Sequence, residues 1–113
     1  MNILYVEHYA GTPALGMEFR PYYLAREWVR AGHRVQMLAA SFSHVRGRQP
    51  AVGDAPLDEE IDGIAYRWYP TRAYEGNGLG RVRNICEFLW QVRRDAARLA
   101  REFKPDVVIA SST

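Results

Sequence analysis

Two runs of β-forming apolar residues bracket a single helical stretch within the first forty positions, and this spacing constrains the fold more than anything else in the chain. Asn2 to His8 reads as a strand, and Tyr9 to Met17, with Gly11, Pro13 and Gly16, as a loop. Glu18 to Ala31 reads as a helix, with Pro21 in its first turn, where the missing N–H has no partner to lose. Leu24, Ala25, Trp28 and Ala31 recur at helical spacing, and Gly32 ends the run. His33 to Ala40 is a second strand. One helix between two strands is a βαβ unit, which implies a parallel sheet.

Downstream, Ser41 to Leu57 is a polar loop. Asp62-Gly63 is a hairpin turn signal between Glu60-Ile61 and the alternating run Ile64 to Tyr69, whose period of two predicts a half-exposed strand near a sheet edge. Pro70 to Gly80 is a second loop. Arg81 to Phe103 is a long helix, with one stripe formed by Val82, Ile85, Cys86, Leu89, Val92, Ala96, Leu99, Ala100 and Phe103. Pro105 stops it, and Val107 to Ala110 is a final strand. The expected class is α/β, a Rossmann-like three-layer parallel sheet with a β-hairpin at its edge. Crossover rules place the last strand on the far side of the first. Ser111-Ser112-Thr113 follow a core strand with no closing helix, so the expectation is a partial domain that exposes apolar sheet surface and self-associates.

Composition removes several classes. Three Trp, seven Tyr and four Phe among 113 residues argue against disorder. The lone Cys86 allows no internal disulfide. The N-terminal apolar run is too short for a signal peptide, and no stretch is long enough to span a bilayer. The expected location is cytoplasmic, with at most peripheral attachment to the inner face of the cytoplasmic membrane. A net charge of +2 gives no case for nucleic acid. The first loop lacks G-x-G-x-x-G, Ala39-Ala40-Ser41 offers no carboxylate for a ribose, and no Walker A loop occurs. No His, Cys or carboxylate set has metal-ligand spacing, so neither metal nor cofactor is expected.

In open parallel sheets, ligands sit outside the carboxyl ends of the strands, where the strand order reverses. Here that crevice lies between the first strand and Val107–Ala110, lined by His8 to Met17 and Ser111 to Thr113. The helix that opens after Gly16 offers free N–H groups to an anion. Glu18 and Arg20, in its first turn, are candidates for acceptor hydroxyls or a phosphate. His8 and Tyr9 lead from the first strand into the crevice, His44 lies in the loop after the second strand, and Ser111 and Ser112 are hydrogen-bond donors. His33 is assigned to the turn. No acid–base pair supports a catalytic assignment. On the long helix Arg83, Arg94, Arg98 and Arg101, with Trp90 at the margin, form a face suited to anionic headgroups, although Glu87, Asp95 and Glu102 interrupt it.

The ordered set Asn2-Ile3-Leu4-Tyr5-Val6, His8-Tyr9-Ala10-Gly11 through Gly16-Met17-Glu18, Ala31-Gly32-His33, Ile61-Asp62-Gly63-Ile64 and Lys104-Pro105-Asp106-Val107-Val108 resembles the N-terminal domain of retaining family 4 glycosyltransferases. The resemblance extends to bacterial members that build cell-surface polysaccharide, including N-acetylfucosaminyltransferase-like ones. It implies the GT-B fold, two Rossmann-like domains across a cleft, with residues 1–113 as part of the acceptor-side domain. The nucleotide-sugar domain with its paired glutamates, and a catalytic-site histidine, would lie beyond Thr113, leaving the fragment inactive alone. Where the family often has two adjacent glycines near the donor diphosphate, this chain has Leu15-Gly16, so Gly16, with Met17 beside it, carries that role. His8, Tyr9, Glu18, Arg20, His44, Ser111 and Ser112 then fall to the acceptor, and Arg83, Trp90, Arg94 and Arg101 to a membrane surface. The implied partners are a nucleotide sugar and a saccharide acceptor, with a lipid-linked acceptor among the options. The residues also admit a stand-alone Rossmann-like module that binds a small anion or a protein partner.

Overall fold

The computed structural model describes residues 1–16, 18–42, 46, 48–75 and 78–111. Its elements run β1 (Asn2–Val6), α1 (Arg20–Arg30), β2 (Arg34–Ala40), β3 (Leu57–Ile61), β4 (Ile64–Tyr69), α2 (Leu79–Glu102) and β5 (Val107–Ala110). The five strands form one sheet in the order β3-β4-β2-β1-β5, all parallel except the β3–β4 hairpin. The last strand therefore lies beside the first, on the side away from β2, as the crossover argument requires.

Alternate residues of the central strands feed two cores. Ile3, Tyr5, Val35, Met37, Ala39, Ile64, Tyr66 and Trp68 meet Tyr22 and Ala25 of α1. Leu4, Leu38, Ala40 and Tyr69 meet Phe88, Leu99 and Phe103 on the other face. Burial on both faces is what a parallel sheet demands. β4 lies inside the sheet rather than half exposed. Tyr69, expected on its open side, is fully buried, because α2 covers it. Asp62 and Gly63 both take positive φ, +52° and +82°, as a two-residue turn of the right-handed hairpin requires. A Cβ on Gly63 would meet Val29 Cγ1 at 2.8 Å, so the position is closed to side chains on two counts.

Two boundaries differ from the periodicity. β1 ends at Val6 rather than His8, and α1 begins at Arg20 rather than Glu18. Glu18 is still in the loop because its carbonyl accepts the Gly11 N–H at 3.1 Å, while a Thr12–Gly16 bridge pinches the segment before it.

The larger difference is the rotation of α2. The buried positions are Asn84, Phe88, Gln91 and Leu99, with Asp95 largely buried between them. Much of the predicted apolar stripe faces outward instead: Val82, Cys86, Leu89, Ala96 and Ala100 are exposed. Polar groups on the sheet side explain the choice. Asn84 donates to the Arg72 carbonyl (2.6 Å), and Gln91 to the Pro70 carbonyl (2.8 Å), satisfying loop groups that the helix would otherwise leave without water. Asp95 accepts from Tyr69 Oη (2.7 Å), Arg67 Nε (3.1 Å) and Arg98 (3.1 Å), and Arg67 continues to Asp58 on β3.

Burial raises the Asp95 pKa, but the Tyr69 hydroxyl and the Arg67 and Arg98 charges outweigh it, and the net shift is downward. A depressed carboxyl stabilises the fold above its unfolded pKa and ceases to do so as pH falls through the folded value. Asp95→Ala is expected to cost about 2 kcal/mol in urea unfolding at pH 7. The gap to the parent should shrink in acid, and a pH-independent gap would show that the charge is not the cause. No described residue pairs with the outer edge of β5, where Val107 and Val108 are exposed. Sedimentation of the chain at rising concentration should therefore show reversible self-association, and a monomer at all concentrations would contradict this.

Candidate functional site

The crevice is built on the alternation of β1. Leu4 and Val6 turn toward α2, while Ile3 and Tyr5 turn toward α1. The next two residues continue the pattern, which separates Glu7 from His8. His8 is buried on the α2 side, where Nε2 bonds Asn84 Oδ1 at 2.6 Å and the ring stands edge-on to Phe88 at 5.2 Å. With Val6, Ile85, Phe88, Leu89, Ala110 and Ser111 it lines a hollow of about 240 Å³. Tyr9 is buried too. Its hydroxyl accepts from Arg81 Nε at 2.6 Å, and the Arg81 guanidinium lies over its ring. Both aromatics expected to face the acceptor are thus bound up with the start of α2.

Glu7 takes the place expected of His8. It is 2% exposed, with its Oε1 near the Tyr9 N–H (3.4 Å), while buried Oε2 accepts no hydrogen bond from a described residue. Ser111, whose N–H bonds the Val6 carbonyl at 2.9 Å, approaches this carboxyl from the end of β5. Burial pushes the Glu7 pKa up. Ser111, the Tyr9 N–H and the Arg20 charge pull against it, and the Glu18 charge adds to it. Glu18, in the loop before α1, and Arg20, at its head, therefore act electrostatically on the same carboxyl. That head is uncapped: Phe19 gives no side-chain hydrogen bond and the first turn holds no acidic residue. Its first N–H groups bond no described residue and suit an anion.

The loop carrying Gly16 is held by internal bonds. Leu15 N–H reaches the Thr12 carbonyl at 3.1 Å, and Arg48 N–H reaches the Leu15 carbonyl at 2.8 Å. Gly16 has φ +87°, a conformation that penalises any residue with a Cβ. The loop's conformation thus accounts for this glycine by itself. Met17, His44 and Ser112, also assigned from the sequence, lie outside the described residues.

Sequence reasoning missed Arg46. It is buried, and no described carboxylate pairs with it. Its Nε and Nη2 donate to the Ala10 carbonyl (3.0 and 2.7 Å), its Nη1 donates to Gln49 (3.2 Å), and its charge lies over Trp68 at 5.0 Å. Burial draws its pKa down to about 10. Arg46 clamps the β1–α1 loop from below. On α2, Arg83, Trp90, Arg94 and Arg101 are all exposed, in one row spaced by whole turns.

A family model described as "Glycosyl transferase 4-like domain" matches residues 16–113. No curated protein and no solved structure matches the chain. The matched segment begins at Gly16, so β1, Glu7 and His8 precede it.

Two outcomes test the site. Gly16→Ala should lower stability by about 1–2 kcal/mol without a change in the unfolded state's charge, read by urea unfolding. For Glu7, a raised pKa means that the folded state holds the proton more tightly. Its contribution is therefore most favourable below the ordinary glutamate value and is lost as pH rises through the folded one. Glu7→Gln should raise the melting temperature relative to the parent at pH 7, with the gap closing in acid. A variant that is less stable at both pH values would show that the carboxyl is needed ionised.

Proposed function

We propose that this chain, which belongs to the glycosyl transferase 4-like domain family, forms the acceptor-side domain of a sugar transferase that uses a nucleotide diphosphate sugar. Membership establishes the glycosyltransferase role at the level of the family. The finer reading rests chiefly on one observation: the uncapped head of α1 carries Arg20, whose charge acts on the Glu7 carboxyl that Ser111 approaches from the end of β5. Free helix N–H groups and a guanidinium stabilise negative charge, and charge develops on the leaving diphosphate during sugar transfer. Glu7 and Ser111 on the crevice floor are hydrogen-bonding groups that suit a sugar hydroxyl. In this reading the site works by holding two substrates in register. Assembly of cell-surface polysaccharide from an N-acetyl amino sugar donor is our proposal for the pathway, on the strength of the sequence resemblance alone.

The test is transfer of radiolabelled sugar from nucleotide diphosphate sugars by the full natural protein. Arg20→Ala is expected to lower turnover about tenfold, the equivalent of ~1.4 kcal/mol, with an unchanged melting temperature. Unchanged kinetics would remove Arg20 from the site. Tight binding of a small anion by a protein that transfers no sugar would favour the binding-module reading.

A further inference from the structure

On the α2 face, at the carboxyl end of β4, a second hollow of about 450 Å³ opens between the loop after β4 and the first half of α2. Its wall includes Trp90, which is 62% exposed although α2 has a sheet to pack on. The Arg94 guanidinium stands over the ring at 4.9 Å. Across from it, Glu87 holds Arg72 at two points, taking the backbone N–H on Oε1 (3.2 Å) and Nε on Oε2 (3.1 Å). The terminal nitrogens of Arg72 bond no described residue, so a guanidinium fork is fixed in place with donors unspent. Gln91 is fixed similarly: Nε2 donates to the Pro70 and Glu87 carbonyls (2.8 and 3.0 Å), while Oε1 accepts no hydrogen bond from a described residue. Asp54 completes the rim.

We propose that this hollow is a saccharide subsite, taking a sugar ring of the acceptor chain away from the reacting end; the assignment to the acceptor rests on the transferase reading above. An indole face suits the apolar C–H face of a pyranose. A held guanidinium and a held carboxamide oxygen suit adjacent hydroxyls, and a few placed polar groups beside an aromatic wall are what orient a small ligand. The two carboxylates in the same hollow disfavour the densely anionic headgroups expected from the arginines alone.

The full chain is tested for binding to immobilised oligosaccharides built of hexose, N-acetylhexosamine, deoxyhexose or uronic acid. At least one class should bind and shift the fluorescence of Trp90, the most exposed of the three indoles. Trp90→Ala and Arg72→Ala, both at exposed positions, should weaken that binding about tenfold or more, while Lys104→Ala, exposed and away from the hollow, leaves it unchanged. Binding unaffected by Trp90→Ala, or no binding to any class, overturns the proposal. So does Trp90-dependent flotation with phosphatidylglycerol vesicles in the absence of saccharide binding, which would make the row a membrane surface. Failure of the transferase reading has a different signature: no sugar transfer, with Trp90-dependent saccharide binding intact.

Discussion

Most of the arrangement depends on which face α2 presents to the sheet, and polar contacts rather than apolar area decide it. Asn84, Gln91 and Asp95 each reach a group on β4, the following loop or the end of β1 that would otherwise be buried without a partner. A buried donor or acceptor left unmade costs about 1–3 kcal/mol, comparable to exposing one aliphatic side chain. Three such groups on one face outweigh the apolar stripe a quarter-turn away. Once the helix is set in this way, Phe88 drops onto Tyr69, His8 is pinned, and Trp90 and Arg94 are left facing solvent.

The same interactions mark what could be read from the residues alone. The strand–helix–strand opening, the Asp62-Gly63 turn and the placement of β5 beside β1 follow from local periodicity, turn chemistry and crossover rules, which act over short stretches. The facing of α2 does not, because its determinants are backbone carbonyls that the loop presents only after folding. Glu7 was within reach: it shares the parity of Tyr5, and a carboxylate at the end of an apolar strand is a signal in itself. His8, one position on, shares the parity of Val6 and so turns to Asn84 and Phe88 on the α2 side. Arg46 sits in a polar loop without period, where nothing local distinguishes a buried arginine from a solvated one.

The crevice combines a rigid floor with charge from one side. Arg46 holds the loop after β1 through the Ala10 carbonyl, between Glu7 and the approach to α1. The residues that meet there come from both ends of the chain: Glu7 just past β1, Arg20 at the head of α1 and Ser111 just past β5. Such a site forms only when the parallel pairing of β1 with β5 is complete, which ties its geometry to the most non-local contact of the fold.

The two edges of the sheet differ in a way that governs assembly. β3 presents Asp58, Glu59 and Glu60 to solvent, whereas β5 presents Val107 and Val108. A like-charged β3 row repels a second β3 and offers nothing apolar to an incoming strand. Edge pairing is therefore closed at β3, and any addition to the described strands comes at β5. Two copies that meet β5 to β5 form a two-fold contact that exhausts itself at the dimer, whereas an unlimited ribbon would have to pass through the acidic edge at every repeat. The carboxylates of a short hairpin strand thus act as a terminator for that edge of the sheet.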